Sequence, residues 1–212
     1  MQSYYASRAG EYDNIYLKPE RQADLRDIEQ WLPPIFADAR VLEIACGTGY
    51  WTQFMAPVAA NIVALYTAPE TLEIARSRVR AEKVQFLVGS AYELAWHVPT
   101  FDAAFAGFWF SHIRKARRRE FLVGLNAALR PGAKVVLIDN RYVEGSSSPV
   151  TEQDLDGDTD QTRRLADGST HRVLKNFPGE DELRETVVGL AERATFKSWQ
   201  YYWAFDYVVA MP

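Results

Sequence analysis

Apolar positions cluster in short unbroken runs at residues 41–46, 62–66, 84–88, 101–105 and 135–139. Runs of this length without alternation are what strands show when both faces of a sheet are covered. Between them, residues 51–59, 69–80 and 115–129 carry apolar positions at helical spacing. Strands alternating with helices predict a parallel sheet with helices on both faces. Pro69 followed by Glu70 suits the first turn of a helix, where a missing N–H costs nothing and an acid meets the positive dipole end. Leu72, Ala75 and Val79 then share one face. Arg130-Pro131-Gly132 is a breaker that feeds the last run. Ahead of the first strand, residues 19–36 predict an amphipathic helix interrupted by Pro33-Pro34, so residues 1–37 are expected to form a helical N-terminal cap.

The pattern changes after Asp139. Residues 140–177 hold Ser146-Ser147-Ser148-Pro149, an acidic run and Asp167-Gly168, and predict a long irregular loop or lid inserted into a single domain spanning 1–212. Residues 180–195 return to a helical pattern. Residues 197–211 are aromatic and β-branched enough for two final strands.

Composition narrows the function classes. The chain has 212 residues, of which 48% are hydrophobic and 13% aromatic. That suits one domain with a large core and excludes general disorder. The longest apolar stretch, 103–110, is too short to span a bilayer. The start, MQSYYASRAGEYD, has charges where a signal peptide needs an apolar region. A cytoplasmic protein without a membrane partner is expected, as monomer or homodimer. The single cysteine, Cys46, excludes an internal disulfide and a cysteine-only zinc site. Acids alternate from Glu152 to Asp160, but a calcium loop starting at Asp154 would have Thr159 where glycine is needed and Leu165 where glutamate is needed. No metal is expected, and the acids are expected in a solvated loop. With 24 basic and 28 acidic residues the net charge is -4, which gives no support to a nucleic-acid partner. The basic cluster Arg114, Lys115, Arg117, Arg118 and Arg119 is expected to be a solvated helix start.

The richest motif is VLEIACGTGYWT at 41–52, a buried strand running into a turn with Gly47 and Gly49 and then a helix. A ligand lies over such a turn in open α/β sheets. Thr52 replaces the third glycine of G-x-G-x-x-G, which disfavours a dinucleotide dehydrogenase. The string E-x-A-C-G-T-G resembles motif I of the class I S-adenosylmethionine-dependent methyltransferases. TAPETLEIAR at 67–76, GSAYEL at 89–94, FDAAFAGFWFSHI at 101–113 and LRPGAKVVLID at 129–139 follow in that family's order. The resemblance implies a Rossmann-like α/β fold with a mostly parallel sheet of about seven strands, S-adenosylmethionine as cofactor, and methyl transfer to a small molecule. It further implies that Glu43 fixes the cofactor's amino-acid end and that Ala45, Cys46, Gly47 and Gly49 pass beneath the cofactor. Tyr66, Thr67, Ser90, Ala91 and Tyr92 would surround its nucleoside.

Two positions depart from the family. Tyr66 stands where an acid usually grips the ribose hydroxyls, and Ser90 where an acid usually accepts from the adenine amino group. Hydrogen bonds to charged groups contribute ~1.5–3 kcal/mol against ~1 for neutral ones, so losing the ribose carboxylate is expected to weaken binding ~10- to 100-fold. The departures also suggest an alternative: another reaction on the same fold, a cyclisation or intramolecular displacement, or loss of cofactor use. His112, in the loop that faces the transferred methyl in this family, is the candidate general base, its unperturbed pKa of ~6.5 suiting proton removal near neutrality. A histidine that caps the following helix is the structural alternative. Trp109 and Phe110 are expected in the pocket wall. Asn140, Arg141 and Tyr142, at the carboxyl end of the fifth strand, are expected substrate contacts. Tyr12 and Tyr16, four residues apart, are expected on one helix face near the substrate, beside Tyr4 and Tyr5. His97 is expected in a loop, and His171, which shares the excursion with Arg172, Lys175 and Asn176, is expected at the surface, with reach to a substrate as the alternative.

Overall fold

The computed structural model of the chain describes residues 9–94, 100–165 and 167–211, with side chains from Asp13 onward. Tyr4, Tyr5, His97 and the side chain of Tyr12 lie outside the described residues. Seven strands form the main sheet: β1 (Arg40–Ile44), β2 (Asn61–Tyr66), β3 (Val84–Val88), β4 (Phe101–Gly107), β5 (Leu129–Asn140), β9 (Ala191–Ser198) and β10 (Tyr202–Val209). Their order is β3-β2-β1-β4-β5-β10-β9. The first five run parallel, and β10 pairs antiparallel with both β5 and β9. Among the described residues the α-helices are α1 (Gln22–Trp31), α2 (Thr52–Met55), α3 (Pro69–Arg78), α4 (Arg118–Ala127) and α5 (Glu180–Thr186).

The unbroken apolar runs are explained by the two layers. Successive strand residues point to opposite faces. Val136 and Ile138 pack with Leu25 and Ile28 of α1 and Leu72 and Ala75 of α3. Val135 and Leu137, between them, pack with Phe121, Leu122 and Leu125 of α4 and Leu183 of α5 on the other face. Both faces are dry, so a strand such as β5 has no polar face over 135–138.

Several expectations are corrected. Helix α2 is a single turn rather than a helix over 51–59. The 115–129 segment opens with a short 3-10 turn, Lys115–Arg117, before α4, and β5 begins at Leu129, ahead of the Pro131-Gly132 breaker. Helix α5 ends at Thr186, and the chain turns at Gly189 into β9, which occupies residues expected to be helical. β-pairing with β10 outweighs the helical preference of Ala, Glu and Arg there.

Residues 140–177 are not an irregular loop. They carry a second, antiparallel sheet of β6 (Glu152–Gln153), β7 (Thr159–Arg164) and β8 (Thr170–Leu174), in that order. This cap docks on the main domain through polar groups. Asn176 N–H donates to Ser111 O at 2.8 Å. Asp158, 2% exposed, accepts from Lys115 N–H at 2.9 Å and from Asn176 Nδ2 at 2.7 Å, and pairs with Arg114. The acidic run is therefore not wholly solvated, nor is the basic cluster: Arg118 is also 2% exposed and bonded to Glu182 at 2.6 Å.

The chain leaves β1 toward β2 and β3 and returns on the other side of β1 as β4, so the switch of direction falls between β1 and β4. In such sheets the crevice outside the carboxyl ends at that point is where ligands bind. Ala45 and Phe108, which follow these two strands, both hold positive φ angles, 55° and 57°. Non-glycine residues in that region cost of order 1–3 kcal/mol and cluster at functional sites.

Candidate active site

The glycine turn sits at the end of β1. Cys46 N–H donates to Leu65 O at 2.9 Å and Gly49 N–H to Cys46 O at 3.0 Å. Glu43 folds beneath the turn, 1% exposed, where Thr52 Oγ1 donates to its Oε2 at 2.7 Å. This differs from the expected role at a cofactor's amino-acid end, because the carboxyl is turned inward onto Thr52. Burial pushes its pKa up to about 8, with the Thr52 bond opposing. The Cys46 thiol is buried and raised well above its ordinary value for the same reason. The side chain packs and is no nucleophile.

A raised folded pKa means that the native state binds a proton the unfolded chain releases above ~4.3. Wild-type stability should therefore fall as pH rises from about 5 through 8. Glu43→Gln, which stays neutral, should flatten that slope and be more stable than wild type at pH 8.5. Urea unfolding at pH 5 and pH 8.5 reads this directly.

An N-terminal 3-10 helix, Ala9–Tyr16, crosses the same turn. Asp13 accepts from Thr48 Oγ1 at 2.6 Å and pairs with Arg78, which also donates to Thr48 O at 2.9 Å. The expected shared face of Tyr12 and Tyr16 lies outside the described residues, because no side chain is described at Tyr12. Tyr16 is buried, stacked on Tyr50 with ring centroids 3.5 Å apart and set against Trp51 and Phe108. It is core rather than a substrate contact.

Beside the turn lies a cavity of about 620 Å³ between the carboxyl edge of the sheet, the N-terminal segment and the cap. Of the motif I residues only Ala45 lines it; Glu43, Cys46, Gly47 and Gly49 do not. One end is formed by Tyr66, Thr67, Ser90, Ala91 and Tyr92, at the tips of β2 and β3. Ser90 Oγ accepts from Tyr92 N–H at 3.2 Å, which uses part of its accepting capacity. Tyr92 meets Trp109 edge-on at 5.9 Å and carries the Arg117 guanidinium over its ring at 4.5 Å. Trp109 lines the cavity, and its indole N–H is buried with no acceptor among the described residues.

The other end lies over β4 and β5. His112 lines it from a short 3-10 turn, Phe110–His112. Its Nδ1 is 2.6 Å from Leu174 O. A carbonyl only accepts, so Nδ1 carries the hydrogen and Nε2 is the basic nitrogen. Burial, together with Lys175 and Arg163, pushes the His112 pKa well below its ordinary value against the pull of Asp139. The ring is neutral at pH 7. Phe110 is fully buried under the Arg118 guanidinium, 5.2 Å from its ring, and belongs to the core rather than the wall. Phe108 takes the wall position instead. Asn140 lines the cavity and accepts from Arg21 Nη1 at 2.8 Å. Arg141 and Tyr142 do not. Arg141 N–H pairs with Tyr201 O beyond the β5–β10 ladder, and its side chain donates to Trp199 O at 2.6 Å. Tyr142 packs edge-on against Phe177.

Lys18, Arg21, Arg163 and Lys175 complete this end and were not among the expected site residues. Lys175 is buried, not at the surface: its Nζ donates to Asp139 Oδ1 at 2.6 Å and Ser111 Oγ at 2.5 Å. Asn176 is equally buried, while His171 bonds Ser169 away from the cavity. The only local sequence signal for this end was the Ser146-Ser147-Ser148-Pro149 turn, whose residues line it.

Residues 41–132 match the family described as methyltransferase domain. A demethylmenaquinone methyltransferase of Clavibacter sepedonicus is 26% identical over 164 residues, covering 77% of this chain. The match spans 64% of that relative, less than two thirds of its length. Methyltransferase GfsG of Streptomyces halstedii is 27% identical over 190 residues, covering 86% of this chain and 68% of GfsG. Among solved structures, the DhpI–SAH complex superposes with a TM-score of 0.81 at 24% identity, covering 100% of this chain and 96% of that one. The DhpI–SAM–HEP complex gives 0.77 at 26% identity, over 96% and 94%.

Proposed function

We propose that this chain is a class I S-adenosylmethionine-dependent methyltransferase that moves a methyl group from S-adenosylmethionine to a small molecule held between the sheet edge and the cap. The observation that carries this is one cavity running across the β1–β4 switch point, from a nucleoside-sized aromatic end to a polar end. The relatives and the superposed complexes support transfer over the cyclisation or displacement alternative. No described helix is long and apolar enough to cross a membrane.

The residues present fit the cofactor. Tyr66, Ala91 and Tyr92 line the end where a nucleoside would sit. The orphaned Trp109 indole is a buried donor that a bound ligand can satisfy. When bound, S-adenosylmethionine supplies an electrophilic methyl on a sulfonium centre. The protein's part is positioning. Ala45 and Phe108 hold the backbone at the switch point in strained, fixed conformations, and Asn140 marks the acceptor side. His112, neutral and with Nε2 basic, takes a proton where the acceptor has one to lose.

The test is incubation with methyl-labelled S-adenosylmethionine and a cell extract depleted of macromolecules. The expected result is S-adenosylhomocysteine together with label on a small molecule. Unchanged cofactor, other cofactor fragments without transfer, or label only on added protein or RNA would overturn the proposal.

A further inference from the structure

The charge on the cavity wall is one-sided. Lys18, Arg21, Arg163, Arg164 and Lys175 line it, and among the described residues no aspartate or glutamate does. This occurs in a chain of net charge -4, so it is not the overall balance showing through.

Lys175 is compensated by Asp139. The others are not. Among the described residues no salt bridge reaches Lys18, Arg21, Arg163 or Arg164. Arg21 is 4% exposed, yet its hydrogen-bond partners are neutral: Ser146 Oγ at 2.9 Å and Asn140 Oδ1 at 2.8 Å. Glu20 forms no ion pair with them: it accepts from Ser146 Oγ at 2.7 Å and acts on Lys18 and Arg21 through space. Arg163 donates twice to Gln161 Oε1, at 2.9 and 3.3 Å, and Lys18 donates to Ser146 O.

These cations converge. Burial lowers the Lys175 ammonium, and Arg163 and Arg21 add to that against Asp139. Burial lowers Lys18 likewise, with Arg21 adding to it. Gathering like charges around a partly buried space is unfavourable unless an anion sits among them. Forked guanidinium donors match oxyanion geometry, phosphate above all.

The cluster is also on the acceptor side. Asn140 ends β5, and the nucleoside end lies at β2 and β3, three or more strands away across the sheet. At about 4.8 Å per strand that is roughly 14 Å.

Resting on the reading that this cavity holds the methyl acceptor, we infer that the acceptor carries a doubly charged oxyanion head group, a phosphate ester or phosphonate, seated by Arg21 and Arg163 with Lys18 and Lys175. Several uncompensated cations exceed what one carboxylate neutralises. These residues recognise the head group; the acceptor atom is a separate matter.

The experiment is calorimetry on the full chain, first with S-adenosylhomocysteine alone. Methylphosphonate, inorganic phosphate and acetate are then each titrated into the protein with S-adenosylhomocysteine present. Methylphosphonate and phosphate are expected to bind at least tenfold more tightly than acetate. Arg163→Gln should weaken methylphosphonate at least tenfold while S-adenosylhomocysteine affinity stays within about twofold, which also shows that the variant is folded. S-adenosylhomocysteine binding without methylphosphonate binding overturns this inference and leaves the methyltransferase reading standing. Methylphosphonate binding without S-adenosylhomocysteine does the reverse. Acetate binding as tightly as methylphosphonate, or an Arg163→Gln variant that binds methylphosphonate as wild type does, also overturns it.

Discussion

Lys175→Met is expected to cost the fold about 3–5 kcal/mol, because it strands the Asp139 carboxylate in the interior without its countercharge. Asp139 is fully buried, and its remaining donors are the Ser111 N–H at 3.0 Å, the Asn140 N–H at 2.8 Å and the Asn140 side-chain amide at 3.3 Å. Burial by itself would raise the Asp139 carboxyl. The Lys175 ammonium and the hydrogen bonds outweigh burial and hold it below the ordinary aspartate range. In wild type this group therefore stabilises the fold above the unfolded pKa of ~3.9, and that contribution disappears as pH falls through the lower folded value. Without Lys175, burial wins and the folded pKa rises, so the variant loses stability as pH increases above about 4. The gap between the two proteins should be wide at pH 7 and narrow at pH 4.5 in urea unfolding. Lys175→Met combined with Asp139→Leu should recover much of the loss, since an apolar pair in place of a buried ion pair is often neutral or better. Equal stability of Lys175→Met and wild type at pH 7 would show that this contact does not hold the cap to the sheet.

Gly49→Ala should be the most damaging small change at the motif I turn. The residue holds φ +75°, and an added Cβ would stand 3.2 Å from Ala75 Cβ and 3.3 Å from the Ala75 Cα of α3. Backbone cannot swing away as a flexible side chain can. Strain and overpacking together are expected to cost about 1–3 kcal/mol, and the displaced turn to weaken S-adenosylhomocysteine binding roughly tenfold or more. Gly132→Ala is the matched comparison. Its φ is similar, +79°, but nothing lies within 4 Å of the added atom. It should lose stability through strain alone and leave binding unchanged. Equal binding losses in both variants would mean that the turn's contact with α3 plays no part in holding the site.

The central sheet was legible in the sequence because its strands are buried on both faces. Val135 to Ile138 alternate between two apolar layers, so hydrophobicity alone marks the strand. The turn carrying Gly47 and Gly49 was legible for a local reason as well, since positive φ selects glycine. The cap was not. Its small sheet buries little more than Leu165 and Val173, so β7 and β8 read as polar chain. Strand β9 lies at the sheet edge and is largely exposed, so its Ala, Glu and Arg content imitates a helix.

The site divides in the same way. Tyr66, Ser90, Trp109 and Asn140 sit at strand ends, where position along the sequence predicts position at the crevice. Arg21 and Lys175 reach the cavity through contacts far apart in the chain: Arg21 meets Asn140 across 119 residues, and Lys175 meets Ser111 across 64. No local pattern encodes such pairs. Phe110 and Phe108 show the finer limit. Both are aromatic and two residues apart, yet Phe108, at positive φ, lines the cavity while Phe110 is fully buried.

Calorimetric titration of nucleoside-free protein with S-adenosylmethionine and with S-adenosylhomocysteine tests the central claim most directly. Micromolar binding of both is predicted, with Tyr66 and Ser90 serving in place of the family's usual acids. No binding of either at millimolar concentration would contradict the assignment of this cavity to the cofactor, and methyl transfer with it.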